Sequence, residues 1–208
     1  MTLTVDAPAN ERRVRIADAA LELLASEGAR GLTHRGVDAR LRLPGGSTSY
    51  YFRTRAALLL AAAERLLELD MADVAQLPTD AANATRAATL VQRWLLPESR
   101  TRSLARMELL LAAARDPELE FMARARNGFI DRVVGATRGA EADEARVAAT
   151  ALIALVDGLT LHGLVTGSLS RSAAQRMLER LRGPARGAPA QGTHARRARR
   201  PKPVRRAR

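Results

Sequence analysis

The stretch RLPGGSTSYYFRTRAALL, residues 42–59, holds Tyr50, Tyr51 and Phe52, half of all the aromatic residues in the chain. Pro44, Gly45 and Gly46 break the helical pattern before it, and Pro44 suits the first turn of a new short helix over 45–51. Arg53 and Thr54 make a tight corner, with Thr54 placed to cap the helix that follows. On the N-terminal side, Thr33 is placed as the N-cap of another short helix, 34–41, with Val37 and Leu41 on one face. A longer helix precedes both, carrying Ile16, Ala20, Leu23 and Leu24 at helical spacing and stopped at Gly28. Two short helices joined by a tight turn and packed on a longer one form a helix-turn-helix unit.

The composition extends this reading to the whole chain. Apolar residues make up 47% and aromatics 3% of the 208 residues, so the core is built mainly from Leu, Ala and Val, which favours helices. The helix after Thr54 carries Ala57, Leu58, Ala61, Leu66 and Leu69 towards a break at Pro78. Further helices are predicted over 82–96, 101–115, 117–138, 141–167 and 171–181, punctuated by Pro97 and by the sequence RDPE. The expected fold is all-α, with an N-terminal helix-turn-helix head over 1–53, a larger helical body over 54–182 and a basic tail over 183–208.

The aromatic triplet acquires a role on that helix. Residues 45, 46, 49 and 50 share one face, Thr48 and Phe52 point the opposite way, and Ser47 and Tyr51 flank them. Phe52 is expected to anchor the unit's core. Gly45, Gly46, Ser49 and Tyr50 would then face a DNA groove, with Ser47, Tyr51 and Arg55 placed to reach phosphates. Thr54, capping a helix whose N-terminus faces the duplex, adds an anion site.

The sequence GLTHRGVDARLRLPGGSTSYYFRTRAALL resembles the DNA-binding module of the tetracycline-repressor (TetR) family of bacterial transcription regulators. Leu32, Thr33, Phe52, Thr54 and Arg55 match its pattern directly. The resemblance implies phosphate contacts from Thr33, His34, Tyr50, Tyr51 and Arg55, and base approach by Arg35, Gly45, Ser47 and Ser49. Arg35 is the foremost base reader, since arginine bonds guanine at two atoms at once. The sequence departs from the family at Asp38, Leu41 and Arg42, where an inward alanine, a small residue and a turn glycine are usual. An arginine in a left-handed turn costs about 1 kcal/mol, and an inward Asp38 calls for a partner such as Arg35 or Arg42.

In this family the body carries the effector site and the dimer interface, and its last two helices pack as an intersubunit four-helix bundle; here those are 141–167 and 171–181. Candidate effector contacts are Trp94, Met107, Glu108, Leu111, Phe121, Met122, Phe129, Asp157 and Thr160. The segment VAATALIALVDGLTLHGLVTG approaches the length of a membrane span, about 20 residues, but its central Asp157, with His162, argues for a buried core helix. Its Ala151, Ala154 and Gly158 allow a partner helix to come close. The resemblance thus implies a homodimer on a near-palindromic double-stranded DNA operator, with a small-molecule effector that binds better to a conformation whose reading heads are wrongly spaced.

Charge and motifs bound the alternatives. Of the net +12, the eight Arg and one Lys after Gly183 contribute +9, leaving +3 for the rest. That Arg-rich tail offers a second reading, a general nucleic-acid or polyanion binder working through the tail. The chain has no cysteine, its three histidines are far apart, and no P-loop lysine, H-E-x-x-H or G-x-S-x-G is present, so neither an enzyme nor a metal or cofactor site is expected. The leading sequence TLTVDAPANERR has no apolar core behind a basic start, which predicts a cytoplasmic protein.

Overall fold

The computed structural model describes residues 7–78, 83–115, 127–128 and 142–181, and these are helical with short connections. The first helix, α1 (Ala7–Gly31), is interrupted at Gly28, whose φ of 72° and ψ of −179° lie where an L-residue is strained. It is followed by α2 (His34–Arg40), α3 (Ser47–Tyr51) and α4 (Arg55–Ala75). Then come α5 (Asn83–Leu95), a 3-10 turn at Pro97–Ser99, α6 (Arg100–Arg115), α7 (Ala142–Thr166) and α8 (Arg171–Leu181). The helix predicted over 117–138 lies outside the described residues.

One helix start differs from expectation. The third helix begins at Ser47 rather than at residue 45, because Gly46 adopts a left-handed conformation (φ 93°). Pro44 therefore sits in the turn and not in the helix, and its carbonyl accepts the Ser47 N–H at 3.1 Å. Arg42 does occupy the left-handed region, with φ 53°.

Two apolar cores organise the packing. The first joins Ile16, Leu24, Leu32, Val37 and Phe52 to Leu58, Leu59 and Leu66 of α4 and to Ala105, Leu109 and Ala112 of α6. The second gathers Leu77 from the turn after α4 with Val91, Trp94, Val156, Leu159 and Leu178 from α5, α7 and α8. Between them lies a polar seam. Asp70 forms a buried ion pair with Arg106, whose guanidinium also lies 3.6 Å from the centre of the Trp94 ring. Asp73 accepts from Trp94 Nε1 at 3.1 Å and pairs with Arg102. Burial pushes the Asp70 carboxyl above its ordinary range, more than Arg106 pulls it down.

Residues 143–166 are long and apolar enough to cross a membrane by length and composition. One face, with Ala149, Ile153, Val156, Leu159 and Leu164, is buried within the protein. Gly163 lets α7 approach α5 closely, since a Cβ there would meet Leu95.

Candidate nucleic-acid interface

The helix-turn-helix is held at its ends by caps that the sequence prescribes. Thr33 is extended and its hydroxyl accepts the Gly36 N–H at 3.0 Å, starting α2. Thr54 does the same for α4, accepting from Ala57 N–H at 3.0 Å. Its helix N-terminus is thereby satisfied on one donor and open on others.

Between the caps, Asp38 and Thr48 are both buried, at 4% and 0% exposure. The expected guanidinium partners of Asp38 are not used. Its carboxylate accepts instead from Thr48 N–H at 2.8 Å, Thr48 Oγ1 at 2.6 Å and Gly46 N–H at 2.9 Å. The main chain of α3 lies close enough to supply these donors, so a neutral set of N–H and O–H groups compensates the buried charge. Burial pushes the Asp38 carboxyl up, but the bonds from Thr48 and Gly46, with the nearby His34, outweigh it and hold the group below its ordinary value.

Phe52 is buried in the first core, as expected, and Arg13 of α1 lies 4.6 Å from its ring centre. Arg13 also donates to the Tyr51 carbonyl at 3.3 Å, tying α1 to the end of α3. With Thr48 and Phe52 turned inward, Gly45, Gly46, Ser49 and Tyr50 are all exposed on the opposite side. Tyr50 is 81% exposed and makes an edge-on contact with Tyr51, their ring centres 5.2 Å apart. The hydroxyls of Ser47 and Ser49 donate back to the Pro44 and Gly46 carbonyls, at 2.6 and 2.9 Å, which leaves their lone pairs outward.

The other polar candidates divide. Arg35 is exposed on α2 with no ion pair among the described residues. His34 is half-buried, and its Nε2 donates to the Phe52 carbonyl at 2.6 Å, bracing α2 against the end of α3. Arg55 is exposed, and its guanidinium donates to the Ala29 carbonyl. A guanidinium has five N–H donors, so this bond leaves most of them for a phosphate.

The effector candidates of the body are dispersed. Trp94 is buried in the polar seam, Met107 is half-buried and Leu111 is exposed. Glu108 turns towards α1, where its carboxylate accepts the Ala29 N–H at 3.1 Å. Thr160 is fully buried with its hydroxyl bonded to the Val156 carbonyl of its own helix, and Asp157 is half-buried one turn before Leu161. Phe121, Met122 and Phe129 lie outside the described residues. Sequence reasoning did not find Asp38 as the residue that holds α3, because two of its three donors are backbone N–H groups and the third is the hydroxyl of Thr48, ten positions away.

Comparison with known proteins gives a consistent picture. Residues 78–184 match the family described as Tetracyclin repressor-like, C-terminal domain. A solved member of the TetR family from Streptomyces coelicolor A3 is 34% identical, with a TM-score of 0.68 over 82% of this chain and 98% of that one. The multidrug binding protein EbrR in complex with ethidium is 32% identical, with a TM-score of 0.66 over the same shares of the two chains. An uncharacterised HTH-type transcriptional regulator in the dhlA 5′ region of Xanthobacter autotrophicus is 36% identical over 81 residues, 39% of this chain and 40% of that protein. In sequence through the body and in architecture over most of its length, this chain belongs to the TetR family of transcriptional regulators.

Proposed function

We propose that the protein is a cytoplasmic, ligand-responsive transcriptional repressor that binds a near-palindromic DNA operator as a homodimer and is released by a small-molecule effector. The observation that carries the reading is the outward face of α3. Thr48 and Phe52 are buried, so Gly45, Gly46, Ser49 and Tyr50 are left free to enter a groove. Thr33, Tyr51, Thr54 and Arg55 flank that face as phosphate contacts, with His34 holding its edge and Arg35 reading a base.

Dimerisation is supported by α7. Val147, Ala151, Ala154, Gly158, Leu161 and Val165 recur at alternating spacings of four and three residues, and all are exposed. That is a continuous apolar seam on the side of the helix away from the core. Ala151, Ala154 and Gly158 would let the partner's α7 come close, and α8 would complete a four-helix bundle.

An effector is supported by the relatives, since EbrR is a multidrug binding protein solved with imidazole, ethidium, proflavin and malachite green. Trp94, Met107 and Asp157 are the proposed contacts of this chain. Coupling of about 1–3 kcal/mol between effector and operator would release the DNA.

Selection of bound duplexes from a random DNA pool by the full-length protein tests the reading. The expected product is a near-palindrome with half-sites about 34 Å apart, and effector binding is read separately by titrating the protein with ethidium or proflavin in the absence of DNA, because both dyes also intercalate into duplexes. Enrichment of no sequence would overturn it.

A further inference from the structure

The short recognition helix has little to fix its orientation by packing. It is five residues long, and Thr48 is its buried side chain, with Phe52 at its end. Its N-cap position is Gly46, which has no side chain to accept the orphan N–H groups of the first turn. Asp38 of α2 performs that task from outside the helix. One carboxylate oxygen accepts both donors of Thr48, the other accepts Gly46 N–H, and the main-chain carbonyl of the same residue accepts Leu43 N–H at 2.8 Å. The turn and the start of α3 therefore converge on a single residue of α2. The two left-handed residues, Arg42 and Gly46, lie within this clamped segment.

Hydrogen bonds are directional, whereas apolar packing tolerates small slips. From this we propose that Asp38, with Thr48 as its partner, is a positioning residue that sets the rotation of α3 and thereby the sequence selectivity of DNA binding, without touching DNA itself. The inference rests on the proposed reading of α3 as the groove-entering helix. Of the proposed phosphate contacts, Thr33, Thr54 and Arg55 lie at or beyond the caps and do not depend on this lock, and only Tyr51 belongs to α3 itself. Loss of the lock should blur the choice of bases and leave most general DNA affinity in place.

The experiment compares full-length wild type, D38N and T48V, both near-isosteric changes. Each is put through random-pool selection and then titrated on the selected duplex and on a scrambled duplex over a range of salt, with thermal melting alongside. D38N presents an amide NH2 to one of the backbone N–H donors, and T48V removes the hydroxyl donor alone. D38N is expected to lower the preference for the selected duplex by about tenfold, the scale of one displaced base contact, and T48V by less. The salt slope should be unchanged, because the charged phosphate contact Arg55 lies outside α3, and affinity for the scrambled duplex should fall far less than the preference does. A variant that melts above the assay temperature and keeps the wild-type preference overturns the role of Asp38. Absence of any preference in wild type overturns the reading of α3 instead. Should D38N unfold, T48V alone decides: unchanged preference with the hydroxyl removed counts against the lock, and relaxed preference at unchanged salt slope supports it.

Discussion

Glu108 of α6 accepts a hydrogen bond from the main-chain N–H of Ala29, at 3.1 Å, across the break in α1. The carbonyl of Ala29 in turn accepts from Arg55, the first residue of α4. One residue of α1 is thus held from α6 on one side and from the start of α4 on the other. Gly28 makes room for this, since a Cβ there would lie 3.2 Å from the Glu108 carboxylate.

Glu108→Ala should therefore act on coupling and stability and not on effector affinity. Removing the acceptor leaves the Ala29 N–H without its partner, at a cost of about 1–3 kcal/mol. Denaturant unfolding reads that loss. In parallel, operator titrations with and without effector should show a smaller effector response at an unchanged effector dissociation constant. A weakened effector dissociation constant with coupling intact would return Glu108 to a ligand-contact role.

Gly28→Ala should be destabilising for a backbone reason. Its φ and ψ fall in a region open almost solely to glycine, so any side chain costs about 1–3 kcal/mol. A drop in melting temperature with helical content retained is the expected result. Equal stability would mean that the break in α1 relaxes at little cost.

Acid should weaken the head. Asp38 is held below its ordinary value in the folded protein, so its ionised form contributes stability above the unfolded carboxylate value, 3.8. That contribution falls as the pH drops from there through the lower folded value and is gone beneath it. Unfolding free energy measured from pH 6 down to about pH 2 should fall less steeply for D38N than for wild type, because the variant has no such proton to take up. Parallel curves would show that the Asp38 bonds add nothing to folding.

Arg55→Ala and Arg35→Ala should separate phosphate from base contacts. Loss of Arg55 is expected to weaken all duplexes and flatten the salt slope by about one unit, whereas loss of Arg35 should relax a single operator position. Because Arg55 also bonds Ala29, its removal should loosen the corner between α1 and α4 as well, visible as faster amide exchange there. Sequence-blind effects of equal size from both variants would count against these roles.

The seam on α7 gives a direct oligomer test. Leu161→Glu, at an exposed position outside the core, should leave the monomer's helical content intact and shift sedimentation from dimer to monomer. Operator binding should fall with it, because two heads reading adjacent grooves act together. A dimer that survives both this change and Gly158→Glu would place the interface elsewhere.

What the sequence made legible was local. Thr33 and Thr54 act within three residues, so their hydroxyls could be assigned from spacing, and the inward turn of Phe52 followed from helical periodicity. The true partners of Asp38 did not follow, because they are two main-chain N–H groups and the Thr48 hydroxyl, brought to it by a turn whose left-handed Gly46 also moved the start of α3. The bond between Glu108 and Ala29 did not follow either, for a related reason. The partner of Glu108 is a backbone amide 79 positions away, and nothing in the neighbourhood of either residue announces the meeting.

The charges in the seam between the two cores bear on how the body can move. Asp70 faces Arg106 and Asp73 faces Arg102, so α4 and α6 mesh like two short racks of teeth. A buried charge pulled from its mate is strongly unfavourable, and a displacement of α6 would strand Asp70, whereas Asp73 keeps Trp94 and Arg93 of α5. Sliding α6 along α4 is thereby resisted, since a slip of one helical turn, about 5.4 Å, would bring only one of the two acids opposite an arginine.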